Sequence, residues 1–193
     1  LGAVASTTVG YEKRFAWWAD YLSNNDQEGF IRALLEGQPD APLYFGRMKR
    51  QNKAGPALLG ARPELKEFTA NELKNKINKD FIFIDTRNRA DYLKGAVEGS
   101  LHIPAGKKFI TYASYIIDPE KDSRPIILLA ANETEAKGLR TRLSFVGVDN
   151  VVGFVTGLKG LRLEPVPTLS RTNFEKRERP FILDVRTANE YDT

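Results

Sequence analysis

The sequence of 193 residues contains no cysteine and a single histidine, His102. The lack of cysteine excludes disulfide bonds, cysteine-ligated zinc or iron–sulfur sites, and any cysteine nucleophile. One histidine cannot supply a metal site that is built from several histidines of the same chain. Two of the commonest signatures of an enzyme are therefore absent from this sequence.

Long apolar runs and a strong excess of one charge are also missing. The longest uninterrupted apolar run, 126–131, is far shorter than the ~20 residues that cross a bilayer. There are 29 lysines and arginines against 25 acidic residues, so no concentrated basic face is expected. We therefore expect a cytoplasmic protein that binds neither membrane nor nucleic acid. Because the chain lacks a starting methionine and a signal-like start, we also expect it to be a fragment.

The first part of the chain has a helical pattern. Apolar residues at helical spacing predict a first helix over 11–23. The sequence Asn-Asn-Asp that ends at Asp26 can cap a second helix, and Pro42 can open a third. So small a helical group cannot bury its aromatic residues by itself, and we expect it to pack on a further domain.

The pattern changes at Pro63. Continuous apolar runs at 81–84, 126–129 and 151–155 predict buried parallel strands, because a strand that is covered on both faces needs no polar alternation. Predicted helices lie at 71–77, near 91–93 and at 134–145. Strands that alternate with helices predict an α/β fold with a parallel sheet flanked by helices.

One segment occurs twice. Residues 83–92 read FIDTRNRADY and residues 182–191 read ILDVRTANEY, and the two align without a gap at a separation of 99 residues. Such a separation corresponds to one small domain. Each copy predicts a buried strand followed by an Asp-x-Arg turn. We therefore divide the chain into a helical part, a complete domain, and a linker with the start of a second such domain, at 1–62, 63–162 and 163–193.

Three features of 63–162 occur together in one known family. They are the Asp85-x-Arg87 turn, the sequence GAVEGSLHIP at 95–104, and the sequence TGLKGL at 156–161. Together they resemble the rhodanese-like sulfurtransferase domain. The resemblance implies the rhodanese fold, in which the strand at 126–129 delivers the active loop.

In that family a cysteine directly after this strand carries the sulfur, and backbone N–H groups of the loop stabilise its thiolate and persulfide. Ala130 occupies the cysteine position here. The loop also carries two acids, Glu133 and Glu135, which would repel an anionic sulfur donor. The resemblance therefore implies no catalytic residue in this segment and a packing or docking role for the domain.

The opening part resembles a second family. The sequences STTVGYEKR at 6–14 and YFGRMKRQN at 44–52 are similar to the C-terminal part of metallo-β-lactamase-fold proteins of the glyoxalase II and persulfide dioxygenase type. In particular they resemble bacterial fusions in which that domain precedes two rhodanese modules. The resemblance implies Fe(II) or zinc in the parent protein, held by residues upstream of Leu1, and no metal ligand in this segment.

Arg47, Lys49 and Arg50 are the candidate substrate-binding residues. No acid occurs between Asp40 and Glu64, and cations in this stretch could hold the carboxylate or phosphate groups of a small thiol. Arg47 and Arg50 are spaced to share one helix face. A solvated helix face explains the same cluster, and that alternative stays open.

Asp85, Arg87 and His102 are expected to be structural. An Asp at the end of a buried strand accepts turn N–H groups, and a nearby Arg pairs with it. His102 lies between apolar residues, where a packed and hydrogen-bonded imidazole is expected.

The combined resemblance implies a metal-dependent fusion protein that acts on small-thiol persulfides, as a persulfide dioxygenase and sulfurtransferase in sulfide detoxification. This segment itself would be structural. Two alternatives stay open: a glyoxalase II-like thioester hydrolase, and a non-enzymatic interaction module of the rhodanese fold. The expected partners are the adjacent domains of the same parent and, through the missing domain, a small-thiol persulfide or thioester. A homo-oligomer is compatible with each of these interpretations.

Overall fold

A computed structural model describes residues 6–38, 41–56, 58, 60–178, 180–186 and 188–191. The chain divides into two units, 1–42 and 43–193. The first is helical and the second contains the parallel sheet.

The first unit consists of α1 (Val9–Phe15), α2 (Ala19–Ser23) and α3 (Gln27–Leu35). The carboxylate of Asp26 accepts a hydrogen bond from the Gly29 N–H at 2.9 Å, which confirms the predicted cap of α3.

The single helix predicted over 11–23 is wrong, because the chain leaves the helical conformation at Ala16, where ψ is 150°. The break places the Trp17 ring on Phe30 of α3, with centroids 5.6 Å apart and an interplanar angle of 11°. Aromatic packing between this turn and α3 therefore replaces one turn of a longer helix.

The apolar surface of the first unit is largely uncovered. Within 6–38 and 41–42, Ala19 is the one buried hydrophobic residue. The exposed large apolar side chains are Val9, Tyr11, Phe15, Trp17, Leu22, Ile31, Leu34 and Leu35. Such a surface is what a helical group needs if it packs on a further domain, and that partner stays a prediction.

The second unit begins with α4 (Tyr44–Ala54), which starts two residues after Pro42. Tyr44 packs against the main apolar cluster of this unit. The unit boundary at Pro42 thus lies inside the predicted domain 1–62, whose sequence boundary stays a prediction.

The strands of the second unit, in chain order, are β1 (Lys66–Glu67), β2 (Ile82–Asp85), β3 (Ala96–Val97), β4 (Leu101–His102), β5 (Ile126–Leu129), β6 (Val151–Val155) and β7 (Leu163–Glu164). Five of them form a sheet in the order β1-β6-β5-β2-β4, and every neighbouring pair is parallel. The short strands β3 and β7 pair antiparallel in a separate sheet.

The remaining helices are α5 (Ala70–Leu73), α6 (Arg89–Leu93), α7 (Phe109–Ile116), α8 (Glu133–Ser144), α9 (Arg171–Glu175) and α10 (Ala188–Tyr191). Two clusters of buried apolar side chains flank the sheet: Phe83 of β2 belongs to one, and Ile84 belongs to the other. Leu139 and Leu143 of α8 are buried. The predicted α/β fold, a parallel sheet flanked by helices, is confirmed.

Two helix ends follow from backbone conformation. The helix predicted over 71–77 is only α5, because Asn75 has a left-handed φ of 67° that an α-helix does not accept. Thr69 and Glu72 form a capping box at its start. At the other end of the domain, Gly147 follows α8 with a left-handed φ of 70°, a conformation that ends helices.

The second copy of the repeat forms its turn without its strand. Ile182 and Leu183 are 64% and 75% exposed, so the buried strand predicted for this copy is wrong. Within the described part of the chain, no strand pairs with 181–186. An isolated strand leaves its backbone hydrogen bonds and its apolar faces unpaired, and it therefore does not form.

Candidate functional site

A cavity of ≈ 550 Å³ lies at the carboxyl ends of three neighbouring parallel strands. This edge is where open α/β sheets place their ligands. The lining residues follow β2 (Thr86, Arg87, Asn88, Asp91), β5 (Ala130, Ala131, Glu135) and β6 (Thr156, Gly157, Leu158).

Ala130 is the first residue after β5 and is buried. Its backbone N–H donates to the carbonyl of Val155 at 3.0 Å, which fixes the start of the loop to β6. The nearby hydroxyls are already engaged: Thr86 donates to the Leu129 carbonyl, and Thr156 donates to a carboxylate oxygen of Glu67 at 3.1 Å. The position that ends β5 therefore presents a methyl group and no nucleophile.

A side chain of α8, the helix that follows Ala130, forms a hydrogen bond with the loop before it. The Ala131 N–H donates to Oε2 of Glu135 at 2.6 Å. Asn132 caps α8 and accepts the backbone N–H of Glu135 at 2.9 Å. The side-chain carboxylate and the backbone N–H of Glu135 are thus both hydrogen-bonded to the loop.

Asp85 and Arg87 form the turn that follows β2. Asp85 is fully buried and accepts the Arg87 backbone N–H at 3.1 Å and its guanidinium at 2.6–3.1 Å. Arg87 also donates to the carbonyls of Asp91 and Gly95. Hydrogen bonding to Asp85 raises the pKa of Arg87 above its ordinary value. The predicted turn hydrogen bond and Asp–Arg pairing are confirmed.

His102 is packed as predicted. Its ring stacks on Tyr92 with centroids 3.9 Å apart and an interplanar angle of 8°. Its Nε2 lies 3.0 Å from the Arg87 carbonyl, so the imidazole braces the same turn.

The three predicted substrate-binding residues lie on α4 and have different surroundings. Arg47 is buried, donates to the Val146 carbonyl and lies 4.0 Å from a carboxylate oxygen of Asp118. Arg50 pairs with Glu120 at 2.7 Å, and Lys49 is exposed. None of the three lines the cavity at the end of β5. Their substrate-binding role stays a prediction.

In the described part of the chain, no group of three or more His, Cys, Asp or Glu side chains could hold a metal ion. The iron or zinc that the resemblance implies for the parent stays a prediction. Among the described helices, none is long and apolar enough to cross a bilayer.

Residues 69–162 match the family model described as "Rhodanese-like domain". The chain therefore contains a rhodanese-like domain. The match spans 94 of the 193 residues and includes all the residues that line the cavity except Leu163. A search of the curated proteins finds no match.

Three solved structures are similar to this chain. A metallo-beta-lactamase from Staphylococcus aureus subsp. aureus COL is 26% identical with a TM-score of 0.60, and the match covers 80% of this chain and 41% of that chain. A rhodanese-like domain from Anabaena sp. is 20% identical with a TM-score of 0.44, covering 66% and 92%. A thiosulfate sulfurtransferase from Pseudomonas aeruginosa is 16% identical with a TM-score of 0.37, covering 68% and 25%. The chain thus spans less than half the length of the first of these proteins.

Sequence reasoning treated Glu135 as a charge in the rhodanese-like loop and missed its hydrogen bond to Ala131. The spacing Asn132-x-x-Glu135 is the signal that could have found it, because a Glu three residues after a helix cap reaches back to backbone N–H groups at the helix start. Here the carboxylate reaches one residue further than in the usual capping box.

Proposed function

We propose that this chain is part of a metallo-β-lactamase-fold/rhodanese fusion that acts on small-thiol persulfides as a persulfide dioxygenase, and that its rhodanese-like domain is not catalytic. The observation that carries the second half of the proposal is Ala130 at the carboxyl end of β5. Sulfur transfer in this fold requires a thiolate at that position, and a methyl group can neither attack a sulfur donor nor hold a persulfide.

The fusion is supported by the extent of the similarity to the staphylococcal metallo-beta-lactamase. That similarity covers 80% of this chain, whereas the rhodanese-like match covers 94 of 193 residues. The likeness therefore includes residues outside the rhodanese-like domain. It supports an arrangement in which a domain of this fold follows a metallo-β-lactamase fold in one protein.

A docking role is supported by uncovered apolar side chains in the segments that precede and follow the rhodanese-like domain in the sequence. The first unit exposes most of its large apolar side chains, and the segment 181–185 exposes Phe181, Ile182, Leu183 and Val185. Surfaces of this kind are typical of contacts between domains. In the proposed parent, this domain would space or dock its neighbours, and the iron or zinc would belong to the preceding domain.

The test is made on the whole parent protein. We expect bound iron and oxygen consumption with glutathione persulfide, and we expect an Ala130→Gly variant of the parent to keep the same rate. Bound zinc with hydrolysis of a glutathione thioester would instead support the glyoxalase II-like alternative. A parent with neither metal nor activity would overturn the proposal in favour of an interaction module.

A further inference from the structure

The carboxylate of Glu135 lies where a rhodanese-like loop presents its backbone N–H groups. It accepts the Ala131 N–H at 2.6 Å, a short distance typical of a hydrogen bond to an ionised acceptor. Glu135 is half-buried and lines the cavity at the end of β5. Its backbone N–H is held by Asn132 at 2.9 Å, which restricts where its side chain can point.

We infer that Glu135 is a built-in anion that occupies the loop after β5 and closes it to anionic ligands. Two separate features would then prevent sulfur transfer in this domain. Ala130 provides no nucleophile, and the Glu135 carboxylate occupies the place of a bound anion. This inference deepens the proposed non-catalytic role and rests on it only in taking position 130 as the nucleophile position.

The charges around the cavity support the inference. Its charged lining residues are Arg87, Asp91 and Glu135. Arg87 is neutralised by the buried carboxylate of Asp85 at 2.6 Å, so it offers little attraction to a second anion. Asp91 is paired with Lys94 at 2.6 Å. Arg87 is thus already paired with Asp85, while the carboxylate of Glu135 lines the cavity.

A thiol placed at position 130 would report this directly. The Ala131 nitrogen is bonded to the carbonyl carbon of residue 130, so the Glu135 oxygen on that N–H lies beside the introduced side chain. A carboxylate close to a buried thiol disfavours the thiolate and raises the thiol pKa. Cysteine at position 130 should therefore be a poor nucleophile as long as Glu135 is ionised.

The sequence permits a clean experiment, because Ala130→Cys introduces the only thiol of the 193-residue chain. Alkylation by iodoacetamide is followed against pH for Ala130→Cys, for Ala130→Cys with Glu135→Gln, and for Ala130→Cys with Glu133→Gln. Glu135→Gln removes the charge and keeps an oxygen that can accept the Ala131 N–H. Glu133→Gln is the matched control: it removes the same charge from the same helical turn, where Glu133 pairs with Lys137 at 2.9 Å.

We expect Glu135→Gln to lower the thiol pKa by on the order of 1 unit or more, and Glu133→Gln to lower it by clearly less. For each unit by which the thiol pKa falls, alkylation at neutral pH should be roughly threefold faster. The thiolate fraction rises about tenfold, while the nucleophilicity of each thiolate falls. An unchanged thiol pKa with Glu135→Gln would overturn the inference. Equal shifts with Glu133→Gln would also overturn it, since they would reflect general charge at the helix start.

A second measurement does not depend on a cysteine variant. In the unsubstituted chain, the short hydrogen bond to the Glu135 carboxylate should hold the Ala131 amide proton resonance at a high chemical shift, and Glu135→Gln should move it to a lower one. An Ala131 resonance that ignores the substitution would show that the contact does not exist in solution. Sulfur transfer by the unsubstituted chain would overturn the proposed function, whereas neither outcome at Ala131 bears on it.

Discussion

The two copies of the Asp-x-Arg turn form the same hydrogen bonds in very different surroundings. In the first, Asp85 accepts the Arg87 backbone N–H at 3.1 Å and Nη2 at 2.6 Å. In the second, Asp184 accepts the corresponding groups of Arg186 at 2.9 Å and 2.9 Å. Each Arg also donates from Nη1 to the carbonyl six residues after its Asp, at 3.1 Å and 2.8 Å.

A third turn of the same kind precedes β5. Asp122 accepts the backbone N–H of Arg124 at 3.1 Å and its Nη2 at 2.6 Å, although this segment is not part of the repeat. The same turn geometry occurs in three different sequence contexts. This indicates that the hydrogen bonds between the Asp and the Arg two residues later determine the conformation of the turn.

The strands before the two repeat copies behave differently from the turns. Phe83 is 1% exposed between β4 and β5, while Ile182, its counterpart, is 64% exposed. A strand therefore depends on neighbours that supply backbone partners and apolar cover, whereas the turn does not.

The largest contrast is expected from truncating the strand residues. Phe83→Ala removes a fully buried ring from the core and should lower the free energy of unfolding by about 3–5 kcal/mol. Ile182→Ala should change it by no more than about 0.5 kcal/mol, because the side chain is exposed. Urea unfolding of the two variants measures both values. Similar losses would mean that 181–186 is packed in solution.

The next contrast concerns the two turn carboxylates. Asp85→Ala leaves Arg87 without its buried partner and should cost about 3 kcal/mol of unfolding free energy. Asp184→Ala breaks the same contacts at an exposed site and should cost little, because solvent screens the charges there. Thermal and urea unfolding compare the pair. An equally large loss for Asp184→Ala would contradict the account of a purely local second turn.

A smaller effect is expected for the two paired arginines of α4. Arg47→Ala leaves the Val146 carbonyl and Asp118 without a buried donor and should cost about 2 kcal/mol. Arg50→Ala removes an exposed pair with Glu120 and should cost at most about 0.5 kcal/mol. The same unfolding experiment checks both variants. Weaker thiol binding by the whole parent with either variant, at unchanged stability, would instead support the predicted substrate site.

The smallest expected effect is the titration of Asp184. Hydrogen bonds from the Arg186 side chain and backbone lower the pKa of Asp184 below its usual value of 3.8. The turn should therefore be fully stabilised above that usual value and should lose this contribution as the pH falls through the lowered pKa. Carboxyl carbon shifts measure the titration, and Arg186→Ala should move the pKa back up. If the pKa of Asp184 did not change with Arg186→Ala, the exposed turn would not form in solution.

Features that show in a local pattern of residue types could be predicted from the sequence. The apolar runs at 126–129 and 151–155 match β5 and β6 residue for residue. The Asp26 cap and the Asp85 turn also followed from residue type and spacing.

Features that depend on distant contacts could not be predicted. The break at Ala16 depends on Phe30, and the burial of Arg47 depends on Val146, which lies 99 residues away in the sequence. Ala130 was expected directly after a buried strand, and the structure places it there, on the wall of the cavity. That this is the position of a nucleophile stays a prediction. The contact between Glu135 and Ala131 was missed, because a side chain at a helix start has several N–H groups within reach.

The most direct test of a non-catalytic rhodanese-like domain is sulfur transfer by the chain itself. The 193-residue chain is incubated with thiosulfate and cyanide, thiocyanate is measured, and the intact mass is checked for added sulfur. We expect thiocyanate formation at the uncatalysed rate and no sulfur adduct, because the Ala130 side chain cannot carry a persulfide. Thiocyanate formed above that rate, in proportion to protein, would contradict it.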